Sequence, residues 1–153
     1  MKGTIQSMQS SDLKSVLKIE ERSFSTSWTF NAFIYELLVN DKASYYTYKV
    51  ENQIIGYIGF WVLDDDIHIT NLAVAPIFRK KGVASQLINF VTEEARRIIV
   101  SRVSLEVRVT NQEAINLYEK LGFDKGKILK KYYKTEDGIE MFLLLKGGNN
   151  EEE

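Results

Sequence analysis

The chain has 153 residues, and among them no cysteine, one histidine and one proline. The missing cysteine removes disulfides, thiolate metal sites and a cysteine nucleophile in one step. A lone histidine, His68, argues against a histidine-based metal centre and against a Ser-His-Asp triad, so no metal is expected. His68 reads as a strand-surface residue and is assigned no role. No run approaches the roughly 20 apolar residues of a membrane span. The opening Met1-Lys2-Gly3-Thr4 lacks the apolar core of a signal peptide, so the expected compartment is the cytoplasm. A formal net charge of -1 argues against bulk electrostatic binding to nucleic acid or to an anionic membrane. Chemistry is left to carboxylates, tyrosines, backbone amides or a bound cofactor.

What is present is ordinary for a globular chain: 44% hydrophobic and 27% charged residues. The length predicts one domain over residues 1–146. The rest, 147–153, is glycine, asparagine and glutamate and reads as an acidic, disordered tail. Gly3 to Met8 reads as a short strand. Ser10 or Ser11 can cap a helix from about Asp12 to Arg22, with Leu13, Val16, Leu17 and Glu20 at helical spacing. Thr29 can cap a second helix with Phe30, Phe33, Ile34, Leu37 and Leu38 on one face. Ser44 to Val50 and Ile54 to Leu63 read as strands joined by Glu51-Asn52-Gln53. Gly56 and Gly59 mark a close backbone approach or a bulge in the second. Asp64-Asp65-Asp66 turns the chain into a third strand, Ile67 to Val74.

The stretch Asn71 to Ser85 follows. Its strand breaks at Ala75-Pro76, since proline cannot donate to a ladder. It passes through the basic turn Arg79-Lys80-Lys81-Gly82-Val83-Ala84 into an amphipathic helix with Ala84, Leu87, Ile88, Val91, Ala95 and Ile98 as its apolar stripe. Strand, turn and helix start in this order expose unpaired N–H groups at the positive end of a helix dipole. That is an anion site, and phosphate is the usual anion. Beyond it, Val103, Leu105, Val107 and Val109 alternate with Ser104, Glu106 and Arg108 as a strand. Thr110-Asn111-Gln112-Glu113 has the form of a capping box, and Gly122 is the expected left-handed stop of the helix it starts. Phe123 to Leu129 and Glu140 to Leu145 are the last strands. The predicted class is α/β, with a mixed, mostly antiparallel sheet of about seven strands, four helices and one crossover.

This order, with Arg79-x-x-Gly82-x-Ala84 between a strand and a helix, resembles the GNAT acyltransferase superfamily. Leu105-Glu106-Val107-Arg108-Val109-Thr110-Asn111 and Ala114-Ile115-Asn116-Leu117-Tyr118-Glu119-Lys120-Leu121-Gly122-Phe123 look like the protein N-terminal α-amino acetyltransferases. That group includes the bacterial RimI-type ribosomal-protein alanine acetyltransferases and their archaeal relatives. Tyr132-Tyr133 before Asp137-Gly138 is similar to their late substrate loop, and Phe24 and Trp28 to their early one. Two departures are Ser27, where the group usually has proline, and Glu140-Met141-Phe142 after the Asp-Gly.

The resemblance implies attack of an amine, the N-terminus of a protein such as a ribosomal protein, on the thioester of acetyl-CoA. It assigns the diphosphate to backbone amides of Lys80, Lys81, Gly82, Val83, Ala84 and Ser85. It assigns the pantetheine arm and thioester to Leu72, Ala73 and Val74 at the strand end, and a further pantetheine contact to Asn111, whose plainer role is to cap the helix; the two can coexist. Glu106 is the implied base; spacing alone favours instead a solvated strand face with Glu106 paired to Arg108. Tyr118 is the implied acid, since a phenol near pKa 10 can protonate a leaving thiolate, with cysteine's 8.5 as guide, at little cost. Its plainer role is a core aromatic. Tyr132, Tyr133, Phe24 and Trp28 would line the peptide, or serve as lids over the core. A transferase for a small amine or a lysine side chain, and a non-catalytic CoA-binding module, remain open from the sequence.

Overall fold

A computed structural model describes residues 2–24 and 27–145. The expected acidic tail, 147–153, lies outside the described residues. The described residues form seven strands and four helices. In chain order these are β1 (Thr4–Ser7), α1 (Leu13–Ser23), α2 (Phe30–Leu38), β2 (Ala43–Val50), β3 (Gln53–Val62), β4 (Asp66–Val74), α3 (Val83–Arg97), β5 (Arg102–Arg108), α4 (Gln112–Lys120), β6 (Asp124–Leu129) and β7 (Gly138–Leu144). The strand order in the sheet is β1-β2-β3-β4-β5-β7-β6. β4 and β5 run parallel, joined through α3, while β1–β2, β2–β3, β5–β7 and β6–β7 pair antiparallel. The predicted mixed α/β sheet with one crossover is therefore the fold adopted.

The chain divides into two compact units. The first comprises Met1–Val62 and Ile69–Val91. Its core gathers Leu13, Val16 and Ile19 of α1, Phe33 of α2, Tyr45 and Tyr57 of the β2–β3 hairpin, and Ala73 of β4. The α1 spacing forecast Leu13, Val16 and the buried Glu20, but Ile19 is buried where Leu17 was expected, and Leu17 is half-buried. Thr29 caps α2 as expected, accepting from Ala32 N at 3.1 Å. The forecast apolar face of α2 is narrower than its sequence: Phe33 is fully buried, whereas Phe30 and Leu38 are 50% and 71% exposed. Glu36 is buried instead and accepts from the Trp61 indole at 2.6 Å. The β2–β3 turn is tighter than expected. Glu51 and Asn52 both take left-handed φ, 52° and 69°, and Gln53 already pairs with Val50. That is the two-residue turn whose twist suits a hairpin.

The second unit comprises Leu63–His68 and Thr92–Glu153. Asp66–His68 of β4 pair with Arg102–Ser104 of β5, β5 pairs along its whole length with β7, and β6 closes the sheet. β6 pairs with a break in register between Lys125 and Ile128. The cap of α4 is Asn111, not the Thr110 of the expected box: Asn111 Oδ1 accepts from Ala114 N at 3.2 Å. Thr110 is drawn away because its hydroxyl and its N–H both bind the Glu136 carboxylate. Gly122 stops the helix at φ 99°, as forecast.

Candidate active site

In the first unit the end of β4 is fixed from one side. Ala75 N donates to Ile55 O at 2.8 Å before Pro76 breaks the ladder. After a 3-10 turn over Pro76–Phe78, the chain swings through two left-handed residues, Lys80 (φ 62°) and Gly82 (φ 87°), into α3. A Cβ on Gly82 would meet only Gln86 Nε2, at 4.0 Å, so conformation rather than space calls for glycine there. The first bond of α3 runs from Gln86 N to Gly82 O at 3.1 Å. The amides of Val83, Ala84 and Ser85 precede it, at the positive end of a 15-residue helix. Val83 is buried and anchors the turn; Lys80, Lys81 and Gly82 are exposed. Tyr48 Oη donates to Gln86 Oε1 at 2.9 Å and steadies that first turn. These residues fit a diphosphate. On β4, Ala73 and Val74 are buried and Leu72 is half-buried. Gly56 of β3 comes close to this strand: a Cβ there would stand 3.2 Å from Ala73 O.

The loop between α1 and α2 is held by a carboxylate with 2% exposure, Glu20. Its Oε2 accepts from Trp28 N at 2.9 Å and its Oε1 from the Tyr57 hydroxyl. Burial raises the pKa of Glu20, and these two donors oppose the rise. The Trp28 ring packs 5.2 Å from Phe33 and 6.3 Å from Tyr45, centroid to centroid, so the indole serves as a lid on the core. Phe24 is 39% exposed.

In the second unit Glu106 does not pair with Arg108. Arg108 binds Glu136 at 3.2 Å and lies over the Tyr133 ring at 4.4 Å. Glu106 Oε1 instead meets His68 Nε2 at 3.0 Å and accepts from the Tyr132 hydroxyl at 3.3 Å. His68 Nδ1 lies 2.8 Å from Ser104 Oγ, and the single Ser104 hydroxyl proton goes to Asp66 Oδ2, also at 2.8 Å. Ser104 can then only accept, so His68 Nδ1 carries a proton. The 3.0 Å contact of Nε2 with a carboxylate needs a second one. Both ring contacts are satisfied together when His68 is doubly protonated beside Glu106. Consistently, the pKa of His68 is raised, chiefly by its hydrogen bond to Glu106 and against desolvation. Glu140 stands opposite Glu106 in the β5–β7 register, so two carboxylates share one face. Like charges directly opposite across a strand pair cost stability.

Tyr132 and Tyr133 pack edge to face with centroids 4.9 Å apart. Burial, then neighbouring charge, raises both phenols above their usual value. Tyr118 sits on α4 with its ring 5.9 Å from Phe123, and burial pushes its phenol up to about 12. Transfer from it to a thiolate is therefore uphill, not nearly level as the free phenol would have it. Asn111 spends its side-chain oxygen on capping α4, and its amide NH2 is a separate donor.

A family model described as Acetyltransferase (GNAT) family matches residues 13–123. The chain belongs to this family. Among similar GNAT proteins is one of Bacillus subtilis (strain 168), provisionally named a ribosomal protein bS18-alanine N-acetyltransferase. It is 36% identical over 143 residues, 94% of each chain. An N-alpha-acetyltransferase of Sulfurisphaera tokodaii is 29% identical, covering 92% of this chain and 90% of its own. The crystal structure of the ribosomal-protein-S18-alanine N-acetyltransferase from Escherichia coli matches with a TM-score of 0.88 and 26% identity, covering 99% of both chains. The chain is thus a GNAT N-acetyltransferase, a family whose acyl donor is acetyl-CoA.

Within the second unit the structure brings together Glu106, Tyr132 and Tyr133; within the first it sets Leu72–Val74 and Lys80–Ser85 on one continuous strand-to-helix passage. The neighbour of Glu106 that sequence reading did not anticipate is His68. A lone histidine on a strand carries no chemical signal by itself. The usable one was indirect: β4 and β5 are parallel neighbours, and His68 is the register partner of Ser104, two residues before Glu106.

Proposed function

We propose that the chain is a protein N-terminal α-amino acetyltransferase. It transfers acetyl from acetyl-CoA to the amine of a protein beginning in Ala, Ser or Met, a ribosomal protein among them, by direct attack in a ternary complex in the cytoplasm. The names of its relatives support this class of acceptor. The observation that carries it is Glu106 standing between His68 Nε2 and the Tyr132 hydroxyl.

The amides of Lys80–Ser85 hold the donor diphosphate, with the exposed Lys80 and Lys81 adding charge. The backbone of Leu72–Val74 would take the pantetheine arm, and an N–H there would supply an oxyanion-type donor for the thioester; Asn111 would add a polar contact. The donor supplies an activated acyl group. An α-amino group has a reference pKa of about 7.7–8.0, so a modest base suffices near neutral pH. Glu106 takes the ammonium proton directly or through one water, and His68 shares the proton load of that carboxylate. Tyr132, Tyr133, Phe24 and Trp28 are the residues that contact the peptide. Tyr118 protonates the departing sulfur. Burial costs Tyr118 acidity but keeps the phenol protonated across the working pH range.

Thiol release measured with short peptides starting in Ala, Ser or Met, beside free polyamines and blocked peptides with an internal lysine, tests the reading. The expected result is turnover confined to free N-termini. Comparable turnover of internal lysine or polyamine refutes the N-terminal assignment, and tight CoA binding with no turnover of any substrate refutes catalysis.

A further inference from the structure

The loop between β6 and β7, residues 130–137, carries Tyr132 and Tyr133. On either side of this pair Lys131 and Lys134 take left-handed φ, 54° and 65°. Residues other than glycine hold that conformation only where their surroundings impose it. Part of the hold is local: Lys131 N donates to Asp137 Oδ1 at 2.8 Å, and Lys134 N to Lys131 O at 3.0 Å. Val109 N, just past β5, donates to Asp137 O at 3.2 Å. The rest comes from the side chain of Glu136. Its Oε1 accepts from Arg108 Nη1 at 3.2 Å, and its Oε2 accepts from Thr110 N at 3.2 Å and from the Thr110 hydroxyl. The Arg108 and Glu136 side chains are 33% and 23% exposed, so their pair is partly shielded from solvent. The Thr110 hydroxyl, with Arg108 adding to it, holds the Glu136 carboxyl below the usual carboxylate range. The guanidinium fixed in this way lies over the Tyr133 ring at 4.4 Å. Tyr133 meets Tyr132 edge to face, and the Tyr132 hydroxyl reaches Glu106. All of these residues lie in the second unit.

We propose that Glu136 is a positioning residue for the acceptor: it latches Arg108 as the platform for the Tyr133 ring and so sets the tyrosine pair against Glu106. This rests on the placement of Tyr132 and Tyr133 at the peptide made under the proposed function. The Glu136 carboxylate acts through Arg108, since a guanidinium held on one edge by a carboxylate still offers its flat face to a ring. The contact with Thr110 fixes the carboxylate in turn, so the latch is tied to the chain at the end of β5 and not only to its own loop. A glutamine at position 136 has one acceptor oxygen and one NH2, and it cannot accept from Arg108 on one side and Thr110 on the other. A lysine at position 108 keeps the charge but has no planar face to lay on the ring.

Steady-state thiol release by the full chain decides it, with acetyl-CoA saturating and an Ala-starting peptide varied. The variants are Glu136→Gln, Arg108→Lys, Tyr133→Leu and the double variant Glu136→Gln with Tyr133→Leu. Glu136→Gln and Arg108→Lys are each expected to raise the peptide KM roughly threefold to tenfold, the reach of one hydrogen bond or ring contact, with the CoA Kd unchanged. Tyr133→Leu is expected to raise KM at least as much. Glu136→Gln should add nothing in that background, because the platform has no ring left to place. Mere loss of folded enzyme would lower kcat and leave KM at its wild-type value, and that result overturns the proposal. So does a double variant whose KM rises by the product of the two single factors. In both cases a raised KM in Tyr133→Leu would keep Tyr133 at the peptide. A wild-type KM in Tyr133→Leu overturns the placement of this loop at the peptide, and the latch with it.

Discussion

Replacing Tyr118 by phenylalanine isolates one proton. With the phenol at about 12 and a thiol near 8.5, full transfer from Tyr118 is uphill by roughly 3.5 units, or about 5 kcal/mol. Water at about 15.7 would be uphill by roughly 7 units, or about 10 kcal/mol. If about half of that difference is expressed in the transition state, Tyr118 is worth on the order of 10² in rate, at the low end for a general acid. The substitution keeps the ring and its 5.9 Å packing on Phe123, so fold and CoA affinity should be nearly unchanged. Steady-state thiol release with acetyl-CoA and an Ala-starting peptide gives kcat, and titration gives the CoA Kd. The expected outcome is a kcat lower by about 10²-fold and a Kd unchanged within experimental error. Wild-type kcat should also show no alkaline limb from this phenol up to about pH 10, two units below its value. A variant kcat close to wild type would return Tyr118 to the role of a core aromatic.

Glu106→Gln keeps a hydrogen-bonding side chain between His68 and Tyr132 but cannot accept a proton; kcat/KM should fall by about 10²–10⁴, most at low pH, and an unchanged pH profile would remove the base assignment. For His68 the native pKa is raised, so its stabilisation is complete below about pH 6.5 and fades as pH rises through the native value. The stability gap between wild type and His68→Gln in urea melts should therefore be wider at pH 6 than at pH 9; a constant gap would refute the shared proton. Gly82→Ala forces a left-handed alanine at about 1–2 kcal/mol and tilts the amides that follow, so the CoA Kd should rise several-fold and the Trp fluorescence melt should fall by about 2–8 °C. Glu20→Gln puts an NH2 against one of two donors and should destabilise by about 1–3 kcal/mol. Because the pKa of Glu20 is raised, the wild-type advantage is complete below about pH 4.5 and shrinks as pH climbs through the native value; an advantage that grew with pH would contradict the burial argument.

The elements that were legible in the sequence are those whose signals are local. Gly82 and Gly122 mark left-handed turns, Thr29 caps α2, and α3 carries its stripe where the period demands. What failed depended on distant partners. The Thr110 box lost to Asn111 because Glu136, 26 residues away, captures the threonine hydroxyl and N–H. Arg108 left Glu106 for the same residue. Periodicity placed Phe30 and Leu38 on the face of Phe33 but could not say how wide a stripe the core would cover. His68 gained its meaning only from a parallel neighbour 36 residues further on. The Arg79–Ser85 turn was readable because a helix start and a glycine are short-range features; the cluster around Glu106 was only half readable because it is assembled by strand pairing.

The two outer strands of the sheet bear on how the molecule behaves in a crowded solution. An unpaired row of backbone donors and acceptors is an invitation to another copy of the same chain. β1 offers only four residues of such a row, too little for a partner to grip. β6 is longer, but it presents Lys125 and Lys127 to solvent and slips register where a visiting strand would need continuity. Neither margin is a flat template, and the chain is thereby guarded against stacking into ribbons.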